Sequence, residues 1–223
     1  MEKPMTEQES LRLITDMIQK ARGGRFHEGG DAPILWGSVV GIAGLMSFLD
    51  RFFVWNIPFD WWLLTLFALV PQFFLARAQS KKKRVKSHEE RALDTVWVVF
   101  GISIFCIVIY GNLIPYTVTE NLSKAGIELL KKDIATGNIE PFTIFAPSFA
   151  SLMMVIYSFP TLVTGIVLKF RPMFIGALLC YAFFVLSLFT NSMYDQLLSG
   201  IAGIVNWLIP GLILRSRYKS RNK

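Results

Sequence analysis

The chain has 223 residues, 53% of them hydrophobic and only 17% charged, with a mean hydropathy of +0.46 and a formal net charge of +7. That composition excludes a disordered chain and an ordinary water-soluble domain, and points to helices in lipid. Two cysteines are too few for a secreted disulfide framework, and the positive charge, collected in a few loops, is a poor signature for nucleic acid as a partner.

In chain order, the first element is an amphipathic arm over residues 1–31. Thr6 and Glu9 form a capping box, so a helix is expected from about Glu7 to Ala21, ending at Gly23-Gly24. At 100° per residue, Leu11, Leu13, Ile14, Met17, Ile18 and Ala21 share an arc of about 160°. Leu11, Ile14, Met17 and Ile18 are the expected contact residues. Such a face can dock on the inner mouth of a bundle, lie on lipid, or pair with a partner or a second copy of the chain. No small-residue cleavage pattern accompanies the first apolar window, which reads as a retained span.

Six uncharged windows follow, giving spans at about 32–49, 59–76, 95–116, 142–168, 172–192 and 196–214, and then a basic tail over 215–223. Each is long enough, at 1.5 Å per helical residue, to cross a hydrocarbon core of about 30 Å. The expected fold is therefore an all-α polytopic membrane protein. Gly37, Gly41 and Gly44 on the first span, and Ser199 and Gly203 on the sixth, form small faces that let helix backbones approach closely. Trp55, Trp61 and Trp62 suit an interfacial belt after the first span. The loop after the second span holds Lys81, Lys82, Lys83, Arg84 and Lys86, a topology anchor that can also meet anionic headgroups. Cys106 and Cys180, within the third and fifth spans, read as reduced core residues. Between the third and fourth spans, Leu122, Ile127, Leu129, Leu130 and Ile134 alternate with charges, which predicts a short amphipathic helix over 121–135 on the outer surface.

Charge sets the orientation. Of the 23 Lys and Arg residues, five precede the first span, seven lie in the 77–91 loop, two flank Phe170 and five follow Leu214, so that 19 share one side and four the other. Both termini are thus expected in the cytoplasm, and the retained first span implies residence in an inner membrane.

Chemistry is sparse. No Asp, Glu, Lys, Arg or His lies in the middle of a span, and there is no P-loop, His/Cys/Asp metal cluster or nucleophile with a matching base. No catalysis, cofactor or metal is expected. Asn112-Leu113-Ile114-Pro115 and Asn206-Trp207-Leu208-Ile209-Pro210 share residue types across two halves, and prolines inside spans free carbonyls. Asn112, Pro115, Asn206 and Pro210 are therefore the candidate path in the alternative reading, a small transporter or channel for a neutral or amphipathic solute. The leading reading is an interaction or regulatory role through the arm; an intramembrane enzyme ranks third.

The opening Thr6-Glu7-Gln8-Glu9-Ser10-Leu11, the Leu35-Trp36-Gly37 entry to the first span, the Thr164 to Pro172 stretch and the Leu208-Ile209-Pro210-Gly211 close together resemble a family of small, uncharacterised inner-membrane proteins from Bacteroidetes-type bacteria. The resemblance implies six spans, cytoplasmic termini and a helical arm, and supplies no activity or site residues.

Overall fold

A computed structural model describes Thr6 and residues 30–82, 88–142 and 149–221. The chain is helical throughout these residues except for its loops and one small hairpin. Helix α1 spans Asp31–Phe52, and a 3-10 turn at Trp61–Leu63 leads into α2, Leu64–Phe67, and α3, Leu69–Lys82. Then come α4, His88–Lys124; strands β1, Leu130–Lys132, and β2, Ile139–Pro141; α5, Phe149–Val167; α6, Arg171–Ser187; α7, Ser192–Gly203; a π-helical turn, Ile204–Leu208; and α8, Ile209–Arg221. Five helical stretches are long and apolar enough to cross a membrane: Asp31–Phe52, Trp61–Ala78, His88–Lys124, Phe149–Val167 and Ser192–Ser220. The sixth apolar helix, α6, has 17 residues.

The core sits among α1, α5, α6 and the α7–π–α8 rod, where Val40, Met153, Met154, Tyr157, Cys180, Ala202 and Trp207 are buried against one another. α1 runs antiparallel to the rod along a seam of missing side chains. A Cβ at Gly44 would stand 2.5 Å from the Cα of Gly200, and one at Gly203 2.6 Å from Val40 Cγ1. Gly37 abuts the backbone of Leu208, and Gly41 meets Ile204. In lipid, where neighbouring tails are as apolar as any side chain, such close approach supplies dispersion contacts that solvent cannot replace. Ser199 is fully buried on the same stretch of the rod.

The other two long helices are peripheral. Among the described residues, the Trp61–Ala78 stretch leans on α1, and α4 packs mainly on α5, reaching Trp207 of the π turn through Trp97 and Phe100. No residue in the most apolar part of α4 is buried. Cys106 lies on this outward surface, unlike buried Cys180, so the sequence expectation of a core cysteine fails there. A helix with one packed edge must leave most of its side chains facing outward, and 106 falls on the far side.

The outer loop also departs from expectation. Instead of an amphipathic helix over 121–135, α4 continues to Lys124 and gives way at Gly126, φ +74°, after which β1 and β2 pair antiparallel with Lys131 opposite Glu140. The turn explains the outcome. Asp133 Oδ1 accepts from Ala135 N–H at 2.8 Å and Thr136 N–H at 3.0 Å, while Gly137, φ +74°, takes the left-handed position that closes the hairpin. Two glycines and an Asx turn outweigh the 3.6-residue periodicity that Leu122, Ile127 and Ile134 suggest. Ile134 ends up at the tip, almost fully exposed.

Candidate functional site

The densest polar chemistry in the interior gathers where α5 meets the π turn. Pro210 has no N–H, so the α-helical donor for Asn206 O is missing. Just upstream, Ile209 N–H bonds Ile204 O, five residues back, and the rod widens into the π turn. Asn206 is thereby turned toward α5 with none of its surface exposed. Its Nδ2 donates to Tyr157 O at 2.9 Å and to Thr161 Oγ1 at 3.1 Å. Trp207 Nε1 donates to the same Thr161 oxygen at 2.8 Å, and the Thr161 hydroxyl donates to Tyr157 O at 3.2 Å. Thr161 Oγ1 thus uses its one hydrogen and both lone pairs. The Oδ1 of Asn206 is buried with no hydrogen-bond partner, as is Ser199 Oγ.

Gly176 of α6 makes this geometry feasible from the other side. A Cβ there would lie 2.5 Å from Val205 O, so only glycine lets α6 close over the widened turn.

Aromatic rings wrap the node. Trp207 lies 4.9 Å, centroid to centroid, from Tyr157 and 6.1 Å from Phe100. Around it the indoles act as single-point fasteners between elements: Trp97 Nε1 of α4 donates to Thr164 Oγ1 of α5 at 3.1 Å, Trp62 Nε1 to Gln196 Oε1 of α7 at 2.7 Å, and Trp36 Nε1 of α1 to Gln72 Oε1 of α3 at 3.1 Å. The peripheral helices are held to the core by these bonds. A buried carboxylate, Asp195, accepts from Thr190 Oγ1 at 2.6 Å near the start of α7.

The four candidate path residues separate into two places. Asn206 and Pro210 are buried on the rod. Asn112 is exposed on α4, where its Nδ2 returns to Val108 O at 2.8 Å, and Pro115 lies one turn further on. Gly111, beside Asn112, faces Phe149 at the start of α5. Tyr157 and Thr161 lie roughly 12–18 Å further along that helix. The arm residues Leu11, Ile14, Met17 and Ile18 lie outside the described residues, as do Lys83, Arg84 and Lys86; Lys81 is exposed at the end of α3, and Lys82 is that helix's last residue. Among the described residues, no three His, Cys, Asp or Glu side chains come together as a metal site.

Sequence reasoning singled out Asn206 but missed Thr161, Tyr157, Trp207 and Asp195. The available signal was spacing: Tyr157, Thr161 and Thr164 recur on one helical face, and Pro210 stands four residues after Asn206. No family model matches the chain, and neither a curated protein nor a solved structure matches it.

Proposed function

We propose that this chain is a non-enzymatic protein of the bacterial inner membrane, with six spans when α6 is counted and both termini in the cytoplasm, that serves an interaction or regulatory role through its N-terminal arm. The resemblance to small inner-membrane proteins is part of this reading. The observation that carries it is the root of the arm. Gly30, at φ +72°, sits so close to Gly211 O that no side chain fits between them, and Ile34 N–H bonds Gly30 O at 3.0 Å. Whatever the arm binds through Leu11, Ile14, Met17 and Ile18 therefore acts on the inner end of the last span, the same rod that bears the π turn. The partner is a second copy of the chain or another apolar protein surface.

The test is a charge substitution of the arm, Leu11→Glu with Ile14→Glu and Met17→Glu, in the full chain. Oligomeric state by light scattering and in-membrane crosslinking from the arm should both change. Unchanged mass and an unchanged crosslinking pattern would overturn the reading.

A second reading, a small transporter or channel, is favoured by one observation: the buried amide oxygen of Asn206 has no partner in a broken helix. Its path would follow the rod, since Asn112 and Pro115 lie elsewhere.

A further inference from the structure

The turn between α5 and α6 carries a feature that topology does not require. α5 ends in a Schellman arrangement, with Phe170 N–H on Gly165 O at 2.8 Å and Lys169 N–H on Ile166 O at 3.1 Å. This leaves Lys169 at φ +51°, the left-handed position that glycine fills at most such helix ends. A lysine here strains the backbone. The next residue, Phe170, is 1% exposed and packs with Met173 and Leu214, and the guanidinium of Arg217 lies over its ring at 5.3 Å. The ring thereby holds the inner end of α8 against the turn and brings Arg217 to the corner occupied by Lys169 and Arg171.

All three cations are exposed, and none is in an ion pair with a described carboxylate. The first turn of α6 contains no acidic residue. Exposed Ile166 and Phe174 flank the same corner on the sides of α5 and α6.

We infer that this corner binds the phosphate headgroup of an anionic phospholipid, with an acyl chain lying along Ile166 and Phe174. Three exposed cations without a described carboxylate partner supply the charge complementarity, and the apolar flank distinguishes a lipid from a free anion. A simple orientation signal needs positive charge on the correct side, which Arg171 alone provides. It needs neither a lysine in a glycine position nor an aromatic ring beneath an arginine. The site draws on no residue of the arm or of the 81–86 basic run.

The experiment uses the full chain purified in neutral detergent. Retained lipid is counted by native mass spectrometry, and melting is followed, after addition of phosphatidylglycerol, phosphatidylcholine or inorganic phosphate. The wild type should retain phosphatidylglycerol in preference to phosphatidylcholine and melt higher with it. Lys169→Gly should melt higher than wild type without lipid, because glycine relieves the strained φ, yet bind phosphatidylglycerol roughly five-fold more weakly, the equivalent of one lost surface cation. Arg217→Gln should show the same loss of lipid. The control, Arg77→Gln, removes an exposed cation outside both the corner and the 81–86 run and should retain lipid as the wild type does. Wild-type retention by both Lys169→Gly and Arg217→Gln would overturn the inference. So would an equal loss in the control, or stabilisation by inorganic phosphate matching that by the lipid.

Discussion

Replacing Thr161 by Val changes a hydroxyl to a methyl group at almost constant shape, in a residue with no exposed surface. Three hydrogen bonds pass through that oxygen: those from Trp207 Nε1 and Asn206 Nδ2, and its own to Tyr157 O. Asn206 Nδ2 keeps its bond to Tyr157 O, whereas the indole N–H, on a side chain 3% exposed, loses its acceptor. An unsatisfied buried donor costs about 1–3 kcal/mol, and a lost interhelical bond in a membrane protein about 0.6 kcal/mol on average. The expected destabilisation is therefore about 2 kcal/mol, roughly a thirty-fold shift in the unfolding equilibrium. Trp207→Phe removes the donor instead of orphaning it, so the pair should be less than additive, with a coupling energy of about 1 kcal/mol. Denaturation in mixed micelles, followed by tryptophan fluorescence and a second probe, measures all three variants. A Thr161→Val loss under about 0.5 kcal/mol, or strict additivity with Trp207→Phe, would refute the argument that this oxygen joins α5 to the π turn.

Gly44→Ala forces a methyl group onto the backbone of α7 and should cost about 3 kcal/mol, whereas Gly101→Ala, where a Cβ meets nothing within 4 Å, should be neutral or stabilise by up to about 1 kcal/mol; thermal melts of the two variants decide it. Trp97→Phe removes the indole bond from α4 to Thr164 and should release α4 before the core unfolds, seen as faster amide exchange in residues 95–110 than in α5, and equal exchange in the two helices would refute this. In the outer hairpin, the N–H groups of Thr136 and then Ala135 hold the Asp133 carboxyl below its ordinary value. The sign follows from linkage: a depressed carboxylate pKa gives a contribution that is present above the unfolded value and lost as pH falls through the folded one. The amide resonances of Ala135 and Thr136 should thus shift together in acid, below the range of an unperturbed aspartate, and a midpoint at or above that range would count against the Asx turn.

Much of the helical architecture was legible because lipid-compatible helices announce themselves as long uncharged windows, and the small residues at 37, 41, 44 and 203 are visible in the sequence as places where backbones can touch. Two things were hidden. The 121–135 segment has a helical period, but its fate is set by Gly126, Asp133 and Gly137, whose turn chemistry acts over a few residues and outweighs a weak amphipathic pattern. The node was hidden for a different reason. Asn206 stands out in an apolar window, yet its partners Tyr157 and Thr161 look like routine helix residues, and only the phase shift produced by the π turn aligns them. Asn112 looked equivalent to Asn206 in the sequence, but a side chain bonded back to its own helix carries no information about a neighbour.

The antiparallel seam joins two helices separated by more than a hundred residues of sequence. During translation, Gly37, Gly41 and Gly44 leave the ribosome well before Gly200 and Gly203 exist, so their bare backbone waits through the insertion of every intervening hydrophobic segment. The seam can close only after α7 has been made, so this pairing becomes possible later than any contact among α1 to α6.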